Sequence, residues 1–276
     1  MEALKMEFKL ENLFGEISRE INKFFTAKNF MTEIEKIDFF DEKTDINILR
    51  DYIKKNSFDV VLLKKKDNSI AYIKSENINN CKNIKEILNN ISKGEKIKIN
   101  TQILEIIDKF KEFYCVFVYD DKNIFQGLIT YADLNKPPLF AFLYIVISHF
   151  EKLLKNVIKI KYEKDDWLKK LPDESKREIG GIFIESKVKG IEISMLECTT
   201  ITQLKEILSK EKEITSLDCY NGRKSYNSKL KKIIDCRNAV MHNRNIIQSK
   251  ESCKDFYNFL YDLGIQIREI KNLIKR

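Results

Sequence analysis

Residues Tyr114–Leu134, YCVFVYDDKNIFQGLITYADL, read as strand, turn, strand and the first turn of a helix. Tyr114–Tyr119 is a run of aromatic and β-branched residues, Asp121–Asn123 supplies turn chemistry, and Ile124–Thr130 is a second strand. Just before them, Thr101–Lys111 carries its apolar residues at helical spacing. About 56 residues upstream the same order occurs. Asp45–Lys55 reads as a helix, Phe58–Lys64 as a strand around Val60-Val61-Leu62-Leu63, Asp67-Asn68 as a turn and Ser69–Lys74 as a strand. Two βαββα-like units in tandem bury their sheets against each other, so we expect an α+β chain with a repeat domain over residues 28–136.

The second copy closes on Gly127-Leu-Ile-Thr130-Tyr-Ala-Asp133. A hydroxyl and a carboxylate at a helix start can hold ribose hydroxyls, while the helix N-terminus favours phosphate. The same two residues also suit a purely structural helix cap. The repeat resembles a pair of CBS modules, named after cystathionine β-synthase, whose G-h-h-T-x-x-D turn holds adenosine ribose and phosphate. That resemblance implies nucleotide contacts from Gly127, Thr130 and Asp133, with Met31-Thr32 lining the adenine pocket. It also implies an adenine nucleotide as regulator: AMP, ADP, ATP or a cyclic oligoadenylate. The first copy has Ala71, Lys74 and Asn77 at the equivalent positions, so nucleotide binding of the usual kind is not expected there.

Asn135-Lys136-Pro137-Pro138 ends the repeat. Proline is tolerated in a helix's first turn, so a hard stop is followed by a clean start and a stiff connection. Leu139–Lys161 reads as a long helix carrying His149 and Glu151. Helices are also expected at Asp166–Leu171, Asp173–Lys187, Ile201–Lys210, Tyr226–Met241 and Ser249–Lys275. Ser194–Thr200 reads as an extended turn and Lys212–Ser225 as a loop. His149 fits a helix-surface or core histidine, and Glu151 could simply pair with Lys155 at i+4.

Within Lys231–Asn245, KKIIDCRNAVMHNRN, Arg237 precedes His242 by five residues. Arginine holds a phosphate through two planar N–H bonds and histidine moves protons near neutral pH. On an ideal helix such positions are roughly 140° apart. Both reach one phosphate only if the helix ends or bends between them, and Asn243-Arg244-Asn245 suits such an ending just past His242. Arg and His also favour a helix C-terminus for electrostatic reasons alone.

Arg237-Asn238-x-x-x-His242-x-Arg244 resembles the R-N-x-x-x-H signature of HEPN domains, all-α modules of RNA-cutting toxins and defence proteins. Phe150-Glu151-x-x-Leu154-Lys155 resembles their first helix, where an acidic residue faces the Arg/His pair. Over residues 137–276 this implies a metal-independent endoribonuclease: the RNA 2′-OH attacks phosphorus and leaves a 2′,3′-cyclic phosphate. His242 would act as general acid or base, Arg237 would stabilise phosphorane charge, and Asn238, Arg244 and Glu151 would position these groups or the RNA. It further implies a homodimer, since one histidine does not readily serve both roles, and a toxin or anti-phage effector that a separate antitoxin could silence. A second reading stays open: a nucleotide-sensing or RNA-binding module without catalysis.

The charge is uneven. Residues 1–138 hold 23 Lys/Arg and 23 Asp/Glu, while residues 139–276 hold 27 and 19, so the whole formal +8 falls in the second part. That bias suits a polyanionic partner such as RNA, or a solvated lysine-rich surface. Six scattered cysteines without a Cys-x-x-Cys pair point to no metal site or disulfide framework and to a reducing cytoplasm. Residues 1–27 show an amphipathic leader helix and no signal-peptide core. The longest apolar run, Leu139–Ile147, is too short to cross a bilayer, so no membrane partner is expected.

Overall fold

The computed structural model describes Phe14 and residues 24–79 and 81–275. The expected leader helix lies almost wholly outside them. Phe14 is helical and buried, its ring edge-on to Phe142 at 6.4 Å. The chain forms two compact units. One runs to Leu139 and takes in Ile247–Asp255. The other comprises Phe140–Ile246 and the residues from Phe256 onward.

In the first unit a short helix α1 (Ala27–Phe30) and strands β1 (Thr32–Glu33) and β2 (Phe39–Asp41) precede helix α2 (Ile46–Asn56), β3 (Val60–Lys64) and β4 (Ile70–Lys74). Two single-turn helices, α3 (Ser75–Ile78) and α4 (Ile84–Ile87), lead to β5 (Asn89–Asn90), β6 (Lys96–Lys98), α5 (Ile103–Lys109), β7 (Cys115–Tyr119) and β8 (Phe125–Thr130). Both repeat copies are present, and each sheet borrows an edge from the other copy. One sheet has the order β2-β3-β4-β5 and the other β1-β8-β7-β6. In each, an antiparallel hairpin is joined on one side by a parallel strand and on the other by a two-residue antiparallel one.

The Val-Val-Leu-Leu run shows no polar alternation because both faces of β3 are covered. Val60 and Leu62, with Tyr72, pack on Tyr114, Cys115, Phe117, Phe125 and Leu128 of the other sheet. Val61, Leu63 and Ile73 pack on Leu49, Ile78 and Ile84. Each such side chain contributes about 1.5–3 kcal/mol by leaving water. Asp45 caps α2 by accepting from the Asn47 N–H at 2.7 Å, and Ser57 ends it in a left-handed conformation at φ 54°.

Among the described residues the second unit contains only helices: α6 (Pro137–Lys161, beginning at the unit boundary), α7 (Asp173–Val188), α8 (Ile201–Leu208), α9 (Lys212–Thr215), α10 (Arg223–Met241) and, from Phe256 on, α11 (Lys250–Ile274). Leu143, Val146, Phe150, Leu154 and Ile158 of α6 are buried, as are Leu230 and Ile233 of α10 and Leu260, Leu263, Ile267 and Ile270 of α11. By length and composition alone α6 could cross a membrane, although half of its most apolar stretch is buried in the protein.

Two local expectations are corrected. Ser194–Thr200 is not extended: Met195–Cys198 is a 3₁₀ turn, because Ser194 and Glu197 form a capping box. Lys212–Ser225 is not all loop, since α9 occupies its start and α10 begins at Arg223, just after the left-handed Asn221 and Gly222. A capping box at Thr200 and Gln203 starts α8, at the place where that helix is expected.

Candidate functional site

Two sets of residues come together, one in each unit. In the first unit, β8 delivers Thr130 and a 3₁₀ turn, Ala132–Asn135, delivers Asp133. Asp133 Oδ2 accepts from the Thr130 N–H at 2.7 Å and from its hydroxyl at 3.2 Å. Asp133 Oδ1 accepts from the Thr32 hydroxyl at 3.0 Å and meets Lys136 Nζ at 2.8 Å. Lys136 also donates to the carbonyls of Phe30 at 2.6 Å and Met31 at 3.2 Å. Thr32, Thr130 and Asp133 therefore converge, and Met31 joins them only through its backbone.

Gly127 has a different reason to be glycine. A Cβ there would sit 2.2 Å from the Thr32 carbonyl oxygen, because β1 pairs Glu33 directly with Gly127. Its lack of a side chain admits the borrowed edge strand.

Beside these residues lies a cavity of about 210 Å³, lined by Thr32, Lys36, Asp38, Asp59, Thr130 and Asp133 among others. This lies below the roughly 300–1,000 Å³ common for small-molecule sites. Asp38, Asp59, Lys36 and Tyr131 were not legible as site residues in the sequence. Asp59 Oδ1 accepts from the Tyr131 hydroxyl at 2.9 Å. Burial pushes the Asp59 carboxyl above its ordinary pKa, and the nearby Asp133 charge adds to this. The only sequence signal was position: Asp59 stands immediately before the β3 run.

Near the equivalent positions of the first copy, side chains of both copies pack together. Lys74 lies over the Tyr114 ring at 5.2 Å, and buried Glu95 accepts from the Tyr72 hydroxyl and the Ser92 N–H. Gly94 packs so closely on Phe113 that a Cβ would lie 2.5 Å from the ring. Ala71 is fully buried in β4.

In the second unit, α10 and α6 bring Arg237 and Glu151 together. Arg237 Nε lies 3.1 Å from Glu151 Oε1, with the side chains 37% and 20% exposed. The contact is an ion pair without hydrogen-bond alignment, and Oε1 itself is buried. Lys155 donates instead to the Glu197 carbonyl at 3.3 Å, so the i+4 pairing with Glu151 does not form. A hollow of about 50 Å³ beside the pair is lined by Tyr144, Ile147, Ser148, Glu151, Arg237 and Val240.

Helix α10 ends where the polar cluster suggested. His242 is the C-cap, its N–H donating to the Asn238 carbonyl at 3.0 Å. Asn243 adopts φ 50°, its N–H bonds Val240 O at 3.2 Å, and the Arg244 N–H bonds Ala239 O at 2.9 Å. This is a Schellman closure with asparagine in the left-handed position. His242, Asn238 and Arg244 are exposed, and none of the three lines the Arg237 hollow. Histidine 149 is separate: its Nε2 is buried without a partner, and burial, helped by Lys271 and Lys152, holds its pKa below the ordinary value. Among the described residues no three His, Cys, Asp or Glu side chains gather as metal ligands.

No family model and no curated protein matches this chain. Solved structures do resemble its N-terminal part. A hemolysin-like protein containing a CBS domain, from Oenococcus oeni PSU, is 16% identical, with 44% of this chain and 94% of that one covered and a TM-score of 0.36. CBSX2 in complex with AMP is 11% identical over 44% of this chain and 98% of that one, TM-score 0.35. CbpB in complex with c-di-AMP is 19% identical over 44% and 89%, TM-score 0.33.

Proposed function

We propose that this chain is a nucleotide-regulated, metal-independent endoribonuclease of the cytoplasm, acting as a homodimeric toxin or defence effector. The observation that carries the reading is the Glu151–Arg237 pair, joined across two helices, on a helix that stops at His242. Arg237, held by a buried carboxylate oxygen, stabilises charge on the phosphorane oxygens. His242 transfers the proton of the attacking 2′-OH or of the leaving 5′-oxygen. A capped helix end presents it to solvent, where a long RNA reaches it. Because His242 does not line the Arg237 hollow, a second subunit completes the acid–base set. Exposed Tyr144 and Met241 next to these residues supply apolar surface for such a partner. The N-terminal unit is a CBS-type pair that takes one adenine nucleotide in the Thr130–Asp133 cavity, where carboxylate and hydroxyl oxygens suit ribose hydroxyls and the exocyclic amine.

The test is cleavage of labelled RNA in excess EDTA, with and without AMP, ATP, c-di-AMP or a cyclic oligoadenylate. Cleavage that persists in EDTA and is lost in His242→Ala supports the reading. A specific observation favours a second reading, a sensor or RNA-binding dimer without catalysis: Asp133 is already engaged by its own neighbours, and His242 stands apart from the Arg237 hollow. RNA binding without cleavage in every arm would establish that alternative. Growth arrest on expression, relieved by Arg237→Ala or by a co-expressed antitoxin, would establish the toxin.

A further inference from the structure

The 3₁₀ turn that carries Asp133 is engaged at both ends. At its start, Tyr131 donates its hydroxyl to Asp59 in the cavity wall at 2.9 Å. At its end, the Asn135 side chain makes a two-way clasp with a backbone unit 112 residues away: Nδ2 donates to Ile247 O at 2.6 Å, and Oδ1 accepts from the Ile247 N–H at 3.0 Å. Ile247 is 2% exposed, and Leu134, inside the turn, is fully buried. The turn is closed by the Leu134 N–H to Tyr131 O and the Lys136 N–H to Asp133 O, each 3.2 Å. Four residues tied this way do not move independently. Displacing Asp133 displaces Asn135.

Ile247 lies five residues after His242. Arg244 is itself tied back to Ala239 by the helix closure, so only Asn245 and Ile246 separate that anchor from the Asn135 clasp. The three Cα–Cα links from Arg244 to Ile247 span at most about 11 Å, so the two anchors are joined by a short tether. On its C-terminal side, Ile247 runs directly into the Ser249–Ser252 cap of α11, where the Gln248 and Ser249 N–H groups both donate to Ser252 Oγ at 2.8 Å.

We propose that Asn135 is a positioning residue that couples occupancy of the Thr130–Asp133 cavity to the conformation of the His242–Ile247 loop. This rests on the nucleotide reading of that cavity but not on ribonuclease activity. A ligand that takes hydrogen bonds from Thr130, or gives them to Asp133 or Asp59, competes with the contacts that set the turn. The turn then passes the change through one side-chain amide to the strand of chain bearing His242. A ligand acts only through its differential affinity for the two loop states.

The experiment is amide hydrogen exchange on the full chain, with AMP titrated and its binding followed in parallel by calorimetry. In wild type, AMP alters exchange across residues 242–249. Asn135→Ala still binds AMP, its affinity shifted by no more than the coupling between cavity and loop, exchanges that loop about tenfold faster as the two clasp bonds are lost, and no longer responds to AMP there. Asn135→Gln, which keeps both groups on a longer arm, restores part of the response. AMP binding to wild type without any change in residues 242–249 overturns the coupling alone. An unaltered response in Asn135→Ala does the same. An AMP isotherm that stays flat to millimolar concentration overturns the nucleotide reading and the coupling with it.

Discussion

Replacing Glu151 by glutamine preserves the side chain's shape and removes the charge that faces Arg237. At 3.1 Å the raw attraction of the pair is about 5 kcal/mol for an effective dielectric of 20. Arg237 is more than a third exposed and both groups lose hydration, so the net coupling falls to about 1–2 kcal/mol. That places it between an ordinary surface pair and a fully buried one. The two single substitutions are unequal. Arg237→Ala strands the buried Glu151 Oε1 and costs about 2 kcal/mol of stability, whereas after Glu151→Gln the guanidinium turns to solvent at a cost of about 1 kcal/mol. Urea unfolding of wild type, both single variants and the double variant closes the cycle. RNA cleavage measured on the same four proteins falls about 10–100-fold in Glu151→Gln, since Arg237 is present but no longer held. In Arg237→Ala it falls about 100–1,000-fold. A coupling below about 0.3 kcal/mol, together with wild-type cleavage by Glu151→Gln, would refute the assignment of Glu151 as the group that orients Arg237.

Gly127→Ala loses 2 kcal/mol or more of stability, roughly the cost of overpacking, because its Cβ meets the Thr32 carbonyl, and thermal melting reads this with no nucleotide present. Asp59 has its pKa raised in the folded state, so the native protein holds that proton more tightly and stability falls as pH rises through and above the ordinary value of 3.8. Asp59→Asn is accordingly more stable than wild type at pH 7, and the difference closes as pH is lowered below 3.8; an equal or less stable variant at pH 7 contradicts this. His149 is shifted the other way: the unfolded chain gains its proton first as pH falls through 6.5, so stability declines below that pH. With only two histidines, NMR titration of the His242→Ala variant shows one imidazole, and its midpoint lies below 6.5.

The parts of this protein legible in its sequence are those encoded by neighbours. The Val60–Leu63 and Cys115–Val118 runs, the Asp67-Asn68 and Asp121–Asn123 turns and the apolar stripes of the long helices each follow from local period and turn chemistry. The stop at His242 was equally local, since Asn243 is one of the few residues that readily takes a left-handed conformation. What the chain does across distance was hidden. Strands β1 and β5 are two residues each, too short to show any period, and they exist only because the opposite copy offers an edge. Local spacing offered Glu151 only Lys155, the family resemblance pointed to Arg237, and the pairing of α10 with α6 brings Arg237 to Glu151 while Lys155 turns to the Glu197 carbonyl. Gly127 read as part of a ligand motif, yet its lack of a side chain is demanded by Thr32, 95 residues earlier. The Asn135–Ile247 clasp left no trace, and Asp59 only its place before the β3 run, because a single polar residue acquires its meaning from what folding sets against it. Sequence determined which segments become strands and helices through short-range sterics and periodicity. Tertiary structure alone decided which carboxylate meets which cation, because desolvation and approach distance exist only once the segments have packed.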